Sequence, residues 1–124
     1  MEIGEFSQRV GLSIDTLRYY EKEGFLKPKR TLGNHRVYDE HDLKWVDFLK
    51  RLKQTGMPIR EIKCYSELQS QGNATIDERL NLLKVQEKRL QQQAQQTQDY
   101  LDFIHHKMAV YQQMKTAESS DNAH

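Results

Sequence analysis

No proline or glycine occurs between Thr75 and the end of this 124-residue chain, and across that stretch apolar residues return in a strict four-three alternation. Ile76, Leu80, Leu83, Glu87, Leu90, Ala94, Thr97, Leu101, Ile104, Met108, Tyr111 and Lys115 fall on one seam, and nine of these twelve are apolar. That repeat specifies a coiled-coil helix. From Ile76 to Lys115 it spans roughly 60 Å at 1.5 Å per residue. The remaining chain of about 70 residues is too small to cover such a seam, so the helix needs a partner, most simply its own copy. The glutamine-rich "QQQAQQTQ" does not interrupt the heptad and reads as a polar helix face. "TAESSDNAH" carries no large apolar side chain and is expected to fray. A hydrophobic share of 36% and a mean hydropathy of -0.91 fit a small domain with an extension better than one large core.

The small domain is punctuated by glycine. Ile3, Phe6 and Val10 have helical spacing closed by Gly11; Ser13 then caps a second short helix, with Leu12 and Leu17 at the spacing of a hydrophobic staple. Two short helices joined through Gly11-Leu12-Ser13 make a helix-turn-helix. After Gly24, "FLKP" is extended, because the residue before proline avoids the helical region. "RTLGNHRVY" alternates around Gly33-Asn34, so residues 25–38 are expected to form a two-stranded wing. Asp39 and Asp42 open a third helix carrying Leu43, Val46, Leu49 and Leu52 and stopped by Gly56. Pro58 suits the first turn of a fourth, whose buried face is expected to be Ile59, Ile62, Tyr65 and Leu68. Thr75 and Glu78 have the spacing of a capping box for the long helix. The expected fold is mainly α: a winged helix-turn-helix DNA-binding domain over 1–73, a long dimerising coiled-coil helix over 74–115 and a disordered tail over 116–124.

Net charge is only +1, so a basic surface must come from clustering. Lys27, Lys29, Arg30 and Arg36 lie between Gly24 and Tyr38 with no acid among them. On the second helix, Ile14 and Leu17 turned inward leave Asp15, Arg18 and Lys22 outward, with Tyr19 and Tyr20 on the flanks. The second helix of a helix-turn-helix enters the major groove. There an arginine can grip guanine O6 and N7, and tyrosine hydroxyls can reach phosphates. Covering a small core is the competing role for both tyrosines.

"IGEFSQRVGLSIDTLRYYEKEGFLKP", the later "RVYDEHDL" and "TGMPIREIK" together resemble the MerR family of bacterial transcription regulators over residues 1 to about 70. The resemblance implies a winged helix-turn-helix, a second wing from the next helix pair and an antiparallel coiled-coil homodimer. It also implies pseudo-palindromic double-stranded promoter DNA as the partner, with RNA polymerase engaged indirectly through spacer distortion. Position by position, Thr16, Arg18 and Tyr19 match the recognition-helix contacts. Tyr20 matches a phosphate-contacting tyrosine, Arg36 the wing arginine, and Tyr38 and Lys53 further backbone contacts. Asn34-His35 replaces the glycine-tyrosine usual before that arginine.

The chain resembles most the short branch that answers aldehydes and other electrophiles through a cysteine, although Gln54 occupies the place where that branch keeps its thiol. The single cysteine, Cys64, is then the candidate sensor; its position alone reads as a half-buried filler beside Arg60 and Lys63. His105 and His106 point to different sides of a helix and cannot chelate together. No metal site, cofactor or catalytic constellation is expected, so the chain is not read as an enzyme. One cysteine and no long apolar run suggest a reducing, cytoplasmic setting without a membrane. A DNA binder without an effector and a coiled-coil protein adaptor are the alternatives, and the adaptor leaves the acid-free wing unexplained.

Overall fold

The computed structural model describes residues 1–122 and divides the chain into two compact units, Met1–Lys84 and a second beginning at Val85. In the first unit, α1 (Ile3–Val10) ends at Gly11, whose φ of 71° lets the chain turn at once into α2 (Ile14–Lys22). Ser13 caps α2 by accepting from the Thr16 backbone at 3.1 Å. The wing follows: β1 (Lys29–Arg30) pairs antiparallel with β2 (Arg36–Val37), Lys29 opposite Val37 and Arg30 opposite Arg36. At its tip Asn34 takes the left-handed conformation, φ 63°. Then come α3 (Glu40–Gln54), α4 (Ile59–Ser70), one 3-10 turn (Asn73–Thr75) and α5 (Ile76–Asn122).

The core draws at least one fully buried side chain from each early segment: Phe6 from α1, Leu17 from α2, Leu26 before the wing, Tyr38 after it, and Val46 and Leu49 from α3. Phe6 and Tyr38 stack with ring centroids 4.4 Å apart. A second aromatic group, Trp45, Phe48 and Tyr65, joins α3 to α4. Polar ties fix the seams between elements. The Trp45 indole donates to the Phe25 carbonyl at 2.6 Å, and Lys50 Nζ donates to the Val10 carbonyl at 3.0 Å, where the α1 dipole favours a cation.

Several local expectations are corrected. Pro58 is the N-cap of α4, not its first turn, and Ile59 is exposed while Ile62 and Tyr65 are buried. Ile14 likewise stands at the surface. The Thr75 hydroxyl turns back, 2.6 Å from the Leu68 carbonyl and 2.9 Å from that of Gly72. Arg79 completes this joint by donating to Thr75, Gln69 and Gly72. With Leu82 and Leu83 packed on the core cluster, the first unit thus takes in the start of α5.

In the second unit α5 continues to Asn122, and Leu90, Leu101, Ile104, Met108 and Tyr111 of the expected seam are exposed. The expected tail is helical over 116–122, since its Thr, Ala, Glu and Ser residues include no helix breaker; 123 and 124 lie outside the described residues.

Asp39 accepts from the Asp42 backbone at 2.9 Å and Asp42 from the Asp39 backbone at 3.0 Å, a reciprocal cap that starts α3. Asp39→Ala should lower stability by about 1–2 kcal/mol and Asp39→Asn by much less, because asparagine caps nearly as well. Urea unfolding at one protein concentration measures both.

Candidate nucleic-acid interface

The helix-turn-helix turns one side of α2 into the core through Leu17 and Tyr20 and the opposite side to solvent. Arg18 and Tyr19 are exposed, and Thr16 is half-buried with its hydroxyl 2.9 Å from that of Ser13. A surface groove of about 300 Å³ is lined by Arg18 from α2 together with Asn34, His35 and Arg36 from the wing. Residues separated by half the small domain therefore share one face. A guanidinium and a basic hairpin side by side suit a duplex, the first facing base edges and the second phosphates.

The node of that face is Glu21, which the sequence reading passed over. Its carboxylate receives Arg36 Nε at 2.6–2.8 Å and Arg30 Nη2 at 3.4 Å, so a recognition-helix acid holds both wing arginines. The hydrogen bond that Arg36 donates to Glu21, and then the charge of that carboxylate, raise the Arg36 pKa above its already high value. Glu21 is only 20% exposed, whereas Arg36 is 44% exposed and keeps donors for a second partner. Charge spacing within the helix could not reveal this pair, since fifteen residues separate its members.

Other expected contacts fall elsewhere. Tyr20 is buried, edge-on to Phe25 at 5.7 Å, and burial pushes its phenol pKa up. Tyr38 is 1% exposed, stacked on Phe6 with a buried hydroxyl that has no hydrogen-bond partner, and burial raises its pKa too. In this conformation Tyr38 serves the core, and its hydroxyl does not reach the surface. Lys53 is exposed near the C-terminal end of α3 and is not among the residues that line the groove with Arg18. Cys64 is exposed and not half-buried, and its neighbour Lys63 pairs with Glu23 at 3.8 Å. His105 and His106 are both exposed on α5. Among the described residues, Asp39, His41 and Asp42 bring metal-ligand atoms within 4.8 Å of one another. Each of the two carboxylates already commits one oxygen to the α3 cap.

A two-stranded basic wing beside the second helix of a helix-turn-helix defines a winged DNA-binding transcription regulator. Residues 1–68 match the family model described as MerR HTH family regulatory protein, and residues 43–117 match that described as MerR, DNA binding. The chain belongs to the MerR family. It is 40% identical to an uncharacterized HTH-type transcriptional regulator of Haemophilus influenzae, over 88% of this chain and 82% of that protein. It is 37% identical to the regulator AdhR of Bacillus subtilis, over 73% of this chain and 65% of that protein. Among solved structures, HiNmlR, a MerR family regulator lacking the sensor domain and bound to promoter DNA, is 35% identical. It superposes with a TM-score of 0.73 over 93% of this chain and 92% of that one.

Removing the Glu21 charge should loosen the wing and release two cations together. Glu21→Gln is therefore expected to lower affinity for the specific site about threefold to tenfold while leaving non-specific affinity equal or higher. Arg18→Ala should cost about 1–3 kcal/mol on the specific site only. Titrations of both variants on specific and scrambled duplexes at one salt concentration read the two ratios.

Proposed function

We propose that the protein binds a pseudo-palindromic promoter as a homodimer, with one first unit on each half-site and the α5 seams paired as an antiparallel coiled coil. The observation that carries this reading is the row of exposed apolar side chains on α5, Leu90, Leu101, Ile104, Met108 and Tyr111, at the spacing of a helical partner's contacts. Arg18 and Tyr19 of α2 contact the duplex, Thr16 sets the helix start against it, and Arg36 and Lys53 take phosphates. Tyr20 keeps part of its role through packing that aims α2. Tyr38 acts from the core by placing the end of β2.

In this reading an effector or stress signal changes the geometry of the spacer DNA, and RNA polymerase responds to that geometry. Bending costs a few kcal/mol, which contacts from both halves of the dimer offset. The chain works as a binding protein and not as an enzyme, in the cytoplasm where promoter DNA lies. The exposure of Cys64 on α4 supports an electrophile as the trigger, because the thiol is reachable without unfolding.

The fragment 1–84 should fold, sediment as a monomer and bind the operator at least tenfold more weakly than the dimeric full chain. A dimeric fragment refutes the assignment of the seam. For the trigger, promoter output should respond to an aldehyde in wild type and not in Cys64→Ser; equal responses remove the thiol from the mechanism.

A further inference from the structure

Away from the DNA-facing groove, the first unit contains a cavity of about 320 Å³ between the segment leading into the wing, the start of α3 and one side of α4. Phe25, Leu26 and Trp45 form its apolar wall, and most of the other lining residues are polar or charged. The indole is held by its bond to the Phe25 carbonyl, so this wall is already formed. Asp39 and Asp42 stand on one side of the cavity. On α4, Ser66 lines it as well; this residue is 4% exposed and its hydroxyl is buried without a hydrogen-bond partner. Buried hydroxyls without partners are uncommon, and one at a cavity wall is explained by a ligand that supplies the partner. The volume is at the small end of ligand sites, and an apolar wall with a few polar groups is their usual composition.

Charge selects the ligand. Two neighbouring carboxylates face the cavity, and among the described residues the only ion pair on either is Asp39 with Lys29, 3.7 Å apart and with the lysine side chain 83% exposed. Lys27 and His41 also line the cavity and are exposed. An anion would gain from the lysines but would meet a helix end whose cap already carries two carboxylates. A cation meets both acids at once. Burial, helped by the charge on Asp39, raises the Asp42 pKa, so a positive neighbour would relieve a carboxylate that now ionises at a cost. A metal ion fits less well, since the cap keeps an oxygen of each aspartate turned to backbone N–H groups.

We infer that this cavity binds a small organic amine, its ammonium between Asp39 and Asp42, its apolar body against Trp45 and Phe25, and a polar atom on Ser66. Such a ligand displaces Lys29 from Asp39. Lys29 belongs to β1, and the next residue, Arg30, is held by Glu21 of α2, so occupancy reaches the wing. That consequence rests on the proposed DNA-regulating function; the binding itself does not.

Trp45 is the only tryptophan of the chain, so its fluorescence reports the cavity directly. Full-length protein without DNA is titrated at pH 7 with 2-phenylethylammonium chloride and, in parallel, with phenylacetate, 2-phenylethanol and zinc chloride. The expected result is a saturable change with the amine, at least tenfold weaker with the anion and the alcohol, and weakened at least fivefold by Asp39→Asn. Ser66→Ala should weaken it about threefold, and decides the comparison if Asp39→Asn fails to fold by circular dichroism. No saturation with the amine, equal binding of phenylacetate, saturation by zinc alone, or variants that bind as wild type would each overturn the assignment. Since DNA is absent from this titration, its failure is separable from failure of promoter binding.

Discussion

Stacking of Phe6 on Tyr38 is the contact around which the first unit is arranged. It joins the first helix to the residue at which the wing returns, and both rings are fully buried. With the wing's exit fixed against α1, Leu17 and Leu26 enter the same interior from α2 and the wing's approach, and Val46 and Leu49 close it from α3. Each element donates one or two large side chains, so none can rotate freely. A domain this small has little apolar area to spare, and aromatic rings supply much of it per residue. The buried Tyr38 hydroxyl without a partner shows that ring packing prevails at this site over satisfying every polar atom.

Once the inward face of α2 is committed to Leu17 and Tyr20, the outward face is fixed as well, and electrostatics determines its use. Arg30 and Arg36 sit directly opposite each other across the strands, an unfavourable pairing of like charges unless something lies between them. Glu21 supplies that neutralisation from α2. Partly exposed ion pairs contribute little to stability. The value of this one is positional: it ties the orientation of the hairpin to that of the helix beside it.

Much of this architecture is legible in the sequence because it follows from local rules. Glycine after each short helix, Ser13 and Asp39 as caps, Gly33-Asn34 at the wing tip and the heptads of α5 all act within a few residues, and the structure places helix ends and the wing where they indicate. What the sequence did not disclose depends on groups distant along the chain. Tyr38 looks like a surface tyrosine until Phe6, thirty-two positions earlier, is folded against it. Glu21 looks like a solvated acid until the wing brings its arginines across. Cys64 and Ile59 were misplaced because a short amphipathic helix leaves the phase of its buried face uncertain by about one residue. Thr75 followed a sound local pattern, but Leu68 and Arg79 offered its hydroxyl better company.

The self-contained core of the first unit also bears on the order in which the protein is made. Domains fold as units, N-terminal ones first during synthesis. The largest fully buried side chains of the core lie between Phe6 and Leu49, its buried residues run on to Tyr65, and the first unit ends at Lys84. The exposed apolar row on α5 begins to matter only beyond that point. A nascent chain can therefore settle its DNA-binding half while the exposed apolar part of α5 is still being added, which shortens the time in which an unfolded domain and an exposed apolar row are present on the same molecule.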